Sequence, residues 1–315
     1  MKSVAIVLAT YNGAKYLAEQ LDCLKKQTYP NIHVYIHDDV SSDGTINIIN
    51  QYINSEQTNV HFTLWDQKKL KYPQCFINTL LSIPRADYYA FSDQDDVWNE
   101  DKIEKAVKAI EKFGDENIPS LFYSAVDYYD GDLNYIRAAR FVDKKRPMVD
   151  IFSLQTMLLG GEAMGMTFLF NNKLRDDMRI VVEDGGVDFK DTFMKIYSAA
   201  CGTVIYSSEP CAKYRRHAEA TTVGMNPAGK LSRLVNMIKR IFIDKDGMES
   251  IQKSVDFIYT KYRQNIRPEN LELMRLFSRP NSNKKRMKKV FWTCRFRLKT
   301  IDEIGYRVAF LLGRI

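Results

Sequence analysis

The sequence predicts an α/β protein: a mostly parallel, doubly wound sheet with helices on both faces, followed by a basic helical C-terminal region. Three observations predict it. Strand-like and helix-like patterns alternate four times within about the first hundred residues. A polar cluster stands just past the end of the first, second and fourth strand patterns, where open α/β sheets carry their sites. Near Pro227 the alternation gives way to long, basic, amphipathic patterns.

The first strand is Ser3 to Ala9 (SVAIVLA), a short β-branched run. Thr10 to Gly13 turns the chain. Tyr16 to Lys26 then has helical spacing, with Leu17, Leu21 and Leu24 on one face. After Pro30-Asn31 comes the second strand, Ile32 to Ile36, which ends at His37-Asp38-Asp39. Ser41-Ser42-Asp43-Gly44 is turn chemistry, with Asp43 placed to cap a helix from Thr45 to Tyr52. Val60 to Leu64 is the third strand, and Gln74 to Ile83 is a helix behind Pro73. Tyr88 to Phe91 is the fourth strand and runs into Ser92-Asp93-Gln94-Asp95-Asp96, before a helix from about Asp101 to Phe113. Beyond Ser120, Leu121 to Val126 and Met166 to Phe170 read as strands, and Asp188 to Ala200 as a helix. Val204 to Tyr206 and Ala212 to Tyr214 read as short strands.

With 315 residues, 45% hydrophobic and 27% charged, the chain suits one α/β domain and a smaller appendage. The net charge of +7 is uneven: Met225 to Ile315 holds 21 Lys/Arg against 8 Asp/Glu, or +13, leaving −6 for the rest. The expected organisation is an α/β domain over 1–224, in two halves that meet at about 115, and a basic amphipathic tail over 225–315. Five cysteines without a CxxC pair read as reduced, buried thiols. The apolar run Val4 to Ala9 is too short for a leader or a span, so the expected location is cytoplasmic, at the inner face of a membrane.

Asp93-Gln94-Asp95 is the central cluster. Carboxylates at a strand tip can hold Mn²⁺ or Mg²⁺, which prefer oxygen ligands shared with phosphate and water. The bland alternative is an acidic N-terminal cap for the following helix. Position on the fourth strand favours the first reading. Asp38-Asp39 closes the second strand, where an acidic residue can accept hydrogen bonds from a base or ribose. Turn-making is the alternative, and both roles are compatible.

The opening VAIVLATYNGAKYLAEQLDCLKKQTYPNIHVYIHDDVSSDGT resembles the start of family-2 inverting glycosyltransferases, which have the GT-A fold. ADYYAFSDQDDVWNEDKI is similar to a subgroup that includes bacterial polysaccharide rhamnosyltransferases. The resemblance covers about Lys2 to Gly224. It implies that Thr10, Tyr11 and Asn12 line a nucleotide pocket, that Asp38 or Asp39 meets the base, and that Asp93 and Asp95 carry the metal motif. Val40 departs from the glycine usual after the two acids and should alter the turn.

An inverting transferase needs one general base to deprotonate the acceptor hydroxyl. Aligned on Gly202, the resemblance puts Asp191 of KDTFMKIYSAACG in that role, with Asp188 as rival; helix capping is the alternative for both. Tyr214-Arg215-Arg216-His217 is similar to the family's Tyr-Arg-x-His stretch. That implies phosphate contact by Arg216 and a phosphate or metal contact by His217. Glu162 and Gly165 match the region facing the acceptor.

The implied activity moves a sugar, rhamnose from dTDP-rhamnose being one candidate, from a nucleoside-diphosphate donor to a saccharide or lipid-linked acceptor. A sugar nucleotidyltransferase is the first alternative, but the only glycine-lysine candidate for a triphosphate loop, Asn12-Gly13-Ala14-Lys15, has a single glycine. A non-catalytic transferase-like module that binds membranes is the second. In the tail, Lys284, Lys285, Arg286, Lys288 and Lys289 precede Val290, Phe291 and Trp292. Ile304, Phe310, Leu311 and Leu312 follow. Such a pattern suits an anionic membrane surface; packing on the catalytic domain or on a second subunit competes. No nucleic-acid module accompanies the charge, so nucleic acid is not an expected partner.

Overall fold

The computed structural model describes residues 1–55, 59–139, 147–159, 163–185, 190–217, 246–297 and 300–314. The chain forms two compact units. The first holds 1–151, 163–185 and 203–220, and the second holds 152–162, 186–202 and 221–315.

In the first unit, β1 (Val4–Thr10), α1 (Leu17–Lys25), β2 (Ile32–Asp38), α2 (Thr45–Ile53), β3 (Val60–Gln67), α3 (Gln74–Ser82) and β4 (Tyr88–Ser92) follow the predicted alternation. β1 pairs in parallel with both β2 and β4, and β2 pairs in parallel with β3. The reason is burial on both faces. Ile6, Val7, Leu8, Val34, Ile36, Ala90 and Phe91 are all closed off from solvent, as continuous apolar strands of a parallel sheet require. Each of the larger side chains among them contributes about 1.5–3 kcal/mol.

The rest of the unit departs from the sequence reading in instructive ways. After β5 (Val97–Trp98) and α4 (Lys102–Phe113), the single strand expected from Leu121 to Val126 is two: β6 (Ser120–Ser124) and β7 (Val126–Tyr129). The break is at Ala125, whose N–H donates to Ser207 O at 2.8 Å as the chain crosses from one sheet to another. An apolar run shows no sign of such a crossing. β8 (Tyr135–Ala139) and β9 (Val149–Phe152) were not expected, and α5 (Leu154–Leu159) follows them. The strand expected from Met166 to Phe170 begins instead as a 3₁₀ turn over Gly165–Thr167, closed by the Thr167 hydroxyl on Met164 O at 2.8 Å. Only β10 (Leu169–Asn171) is strand, and it runs antiparallel between β4 and β6. The missed helix α6 (Asn172–Glu183) starts there, with the Asn171 side chain accepting from Leu174 N. β11 (Thr203–Ser207) pairs in parallel with β6, and β12 (Ala212–Arg215) with β7.

The large sheet has the order β3-β2-β1-β4-β10-β6-β11-β9, and a small sheet has the order β5-β12-β7-β8. The carboxyl ends of β2, β1 and β4 therefore lie side by side.

The second unit is helical: α5, α7 (Lys190–Cys201), α8 (Asp246–Lys261), α9 (Leu271–Phe277), α10 (Asn283–Val290) and α11 (Thr300–Leu311). Phe277, Phe296 and Phe310 form an aromatic core with centroids 5.3–5.7 Å apart. The Arg307 guanidinium donates to the carbonyls of Lys289, Val290 and Trp292 at 2.7–3.0 Å, satisfying the end of α10. Among the described residues, no helix is long and apolar enough to cross a membrane.

Candidate active site

The site is built where three parallel strands end together. Thr10 is paired in register with Asp38, and its hydroxyl donates to Asp38 Oδ2 at 2.9 Å. Ser41 adds a hydroxyl donor to Oδ2 at 2.6 Å and an N–H donor to Oδ1 at 2.8 Å. Asp38 is fully buried, and both its oxygens are engaged in shaping the turn. Asp39 points along the rim. Its carboxylate accepts from the Lys71 N–H at 3.0 Å, the Leu70 N–H and His37 Nε2 at 3.5 Å. Burial pushes this carboxyl up, but the N–H donors of Lys71 and Leu70 outweigh it and hold the group below its ordinary value. Asp39 thereby anchors a lysine-rich loop, with Lys68, Lys69 and Lys71 exposed at the rim. The sequence reading did not include those lysines.

The loop after β1 is tied to the loop after β2. Asn12 Oδ1 accepts from Ser42 N at 2.9 Å, and Gly13 N donates to Thr45 Oγ1 at 2.8 Å. Asp43 takes the Thr45 N–H at 2.9 Å and the Ala14 N–H at 3.1 Å, the capping role expected of it. Asn12 has φ 47° and Val40 has φ 66°. The turn at Val40 keeps the left-handed conformation that glycine suits, with a β-branched residue strained into it.

The acidic turn after β4 docks on the same loop. Gln94 accepts from Tyr11 N at 2.8 Å and donates to Tyr11 O at 3.0 Å, a two-point clamp on the backbone. A Cβ on Gly13 would stand 2.2 Å from Gln94 Oε1, so only glycine leaves room for the clamp. Sequence reasoning passed over Gln94 as the spacer between two acids.

Asp93 and Asp95 are half-buried, and Asp96 is fully buried. Burial, then the charges of Asp93 and Asp95, push the Asp96 carboxyl well above the usual carboxylate range. His217 Nε2 lies 2.8 Å from Asp95 Oδ2, and its ring stacks obliquely 4.8 Å from Tyr16.

Between them runs Arg215, buried in spite of its charge. It donates from Nε to Asp95 O at 2.8 Å and from Nη1 to Gly131 O at 2.7 Å, and it pairs with Glu19 through Nη2. Its own N–H reaches Asp96 Oδ1 at 3.1 Å. Arg216, expected at phosphate, donates its N–H to Tyr129 O at 2.8 Å and holds its guanidinium 5.3 Å from the Tyr128 ring centre.

Asp95 and His217 offer an oxygen and a nitrogen donor that a divalent cation could share with other ligands. Asp95 and His217 are adjacent, and His217 Nδ1 is buried without a hydrogen-bond partner among the described residues. Among the described residues, however, no three His, Cys, Asp or Glu side chains form a metal cage. The arrangement suits a cation that takes its remaining ligands from a diphosphate and water, not a closed structural centre.

Gly165 opens the 3₁₀ turn before β10. Asp191 stands in the first turn of α7, in the second unit. Asp188 and Glu162 lie outside the described residues. A depression of about 550 Å³ bordered by Lys2, Tyr29, Asp87 and Glu104 lies at the amino ends of β1 and β4, opposite the polar clusters.

The family model described as glycosyl transferase family 2 matches residues 5–185. The dTDP-rhamnosyl transferase RfbG of Shigella flexneri is 32% identical over 105 residues, which is 33% of this chain and 36% of that protein. An uncharacterized glycosyltransferase of Rickettsia typhi is 24% identical over 227 residues, 71% of this chain and 67% of its own length. The amylovoran biosynthesis glycosyltransferase AmsB of Erwinia amylovora is 30% identical over 129 residues, 40% of this chain and 42% of its own. The match to RfbG thus spans about a third of that protein. The crystal structure of S. aureus TarS 1-349 in complex with UDP-GlcNAc superposes with a TM-score of 0.54 at 13% identity, over 99% of this chain and 91% of that one. At that identity the likeness is one of fold.

Proposed function

Because the chain belongs to glycosyl transferase family 2, we propose that it transfers a sugar, with inversion, from a nucleoside diphosphate to a saccharide or lipid-linked acceptor of polysaccharide synthesis. The observation that carries this reading is the contact of His217 with Asp95 at 2.8 Å, beside the Gln94 clamp on the loop after β1. Asp95 and His217 would hold a Mn²⁺ or Mg²⁺ ion, which would supply positive charge to offset that of the departing nucleoside diphosphate.

The other roles belong to the chain itself. Thr10, Asp38 and Ser41 set the rim on which the nucleotide rests. Asp39 meets the base or ribose from the same rim, and Asp93 adds negative charge beside Asp95. Arg216 reaches phosphate. Asp191 takes the proton of the acceptor hydroxyl as that oxygen attacks the anomeric carbon from the face opposite the diphosphate. Gly165 and Glu162 are the residues proposed to bind the acceptor. The similarity to a dTDP-rhamnosyl transferase makes dTDP-rhamnose the first donor to try.

The test is a panel of nucleotide sugars scored by release of nucleoside diphosphate in the presence of acceptor. Asp191→Asn is expected to bind donor as the wild type does and to lose transfer. Normal turnover by that variant removes Asp191 from the role, and release of pyrophosphate from a nucleoside triphosphate and a sugar phosphate would replace the transferase reading.

A further inference from the structure

The last helix of the second unit is amphipathic in an unusual sense. α11 turns Glu303, Tyr306, Ala309 and Phe310 inward, where all are buried. Its outer stripe, which a globular unit ordinarily makes polar, carries Ile304, Val308 and Leu311, with Leu312 following. These are 58%, 45%, 54% and 55% exposed. The spacing i, i+4, i+7 places them along one face. Phe291, just after α10, is 73% exposed.

The same unit is rich in cations. α10, NKKRMKKV, has five cations and no acid. Lys285 turns inward to Ser278 O at 2.8 Å and Lys289 to Asn281 Oδ1 at 3.2 Å, whereas Lys284 and Lys288 are exposed. Arg307 fastens the end of α10 to α11. Arg286 reaches the end of the stripe, where a Cβ on Gly313 would stand 2.3 Å from its Cζ.

We propose that this face of α10 and α11 is a seat for an anionic lipid surface, with the Ile304–Val308–Leu311–Leu312 stripe in the acyl boundary and the cations among the headgroups. An exposed apolar stripe in a cation-rich helical unit, with Arg286 at its end, is what an interfacial surface needs. A second copy suits the face poorly, since a two-fold contact sets like cations against each other. The inference is independent of the glycosyl-transfer reading, because lipid binding needs neither donor nor acceptor.

Flotation of the full chain tests it, with vesicles of phosphatidylcholine alone and of phosphatidylcholine mixed with phosphatidylglycerol. Binding to the mixed vesicles only is expected, weakening as salt is raised. The triple variant Ile304→Ser, Val308→Ser, Leu311→Ser is expected to lower the partition coefficient about tenfold or more. The double variant Lys284→Gln, Lys288→Gln, which alters only exposed side chains and gives up the exposed 3.5 Å pair of Lys288 with Glu272, is expected to lower it as well, with little change in melting temperature. Failure of the wild type to float with the mixed vesicles overturns the proposal, as does wild-type binding by the double variant. A wild-type dimer by light scattering that the triple variant dissolves overturns it as well, by making a second copy the occupant.

Discussion

Arg215 donates from Nε to the backbone oxygen of Asp95 at 2.8 Å, so the acidic turn after β4 is held from beneath by a buried guanidinium. The same group reaches Gly131 O and Glu19. A lysine cannot serve three acceptors set in a fork. Arg215→Lys is therefore expected to cost about 2–3 kcal/mol, as hydrogen bonds from a charged donor are lost. The midpoint of urea unfolding checks the stability, and the transfer rate is expected to fall with it because Asp95 loses its support.

Val40 occupies a left-handed backbone position at φ 66° with its side chain 54% exposed. Removing the Cβ relieves about 1–2 kcal/mol of strain, offset in part by the greater freedom of glycine in the unfolded chain. Val40→Gly is expected to stabilise the protein by about 0.5–1 kcal/mol, seen as a rise in melting temperature.

Asp39 carries its charge more readily in the folded protein than in the unfolded chain, because burial is outweighed by the N–H donors of Lys71 and Leu70. Its folded pKa lies below the unfolded value of 3.8. The stability it adds is therefore complete well above that value and is lost as pH falls through and below it. Asp39→Asn is expected to unfold more readily at neutral pH and to show a shallower loss of stability under acid. Unfolding midpoints measured from pH 6 down to about pH 3 check this.

Cys23, Cys75, Cys201 and Cys211 are buried, and Cys294 is exposed. Burial pushes the Cys23 thiol up to about 12, so it stays protonated at neutral pH. A thiol reagent is expected to label Cys294 rapidly in the native protein and the four buried thiols only on unfolding. Cys294→Ser is expected to abolish the fast phase with little change in stability.

The strand-helix alternation up to α4 was legible because β1, β2 and β4 are buried on both faces and appear as short, mostly apolar runs, while β3 keeps Val60 and Phe62 buried about an exposed His61. The elements after Ser120 were not. The crossing at Ala125 and the 3₁₀ turn at Gly165–Thr167 are fixed by tertiary contacts, and their apolar residues carry no period that separates turn from strand. At the site, Asp38, Asp39, Asp93 and Asp95 stood out because acids at strand tips are conspicuous. Gln94, Arg215 and the lysines of the loop after β3 did not. Their part depends on which backbone groups the fold brings to them, and only Gly13, with no room for a Cβ, left a trace in the sequence. Asp38 is read from the sequence, jointly with Asp39, as nucleotide-binding, with turn-making compatible; both its oxygens are bonded within the turn.

The account rests on the pair of His217 and Asp95, and titration calorimetry of a nucleoside diphosphate onto the full chain tests that pair most directly. With Mn²⁺ present, binding is expected, and either His217→Gln or Asp95→Asn is expected to weaken it about ten- to a hundredfold. Equal affinity with and without the cation, unchanged in both variants, would contradict the account.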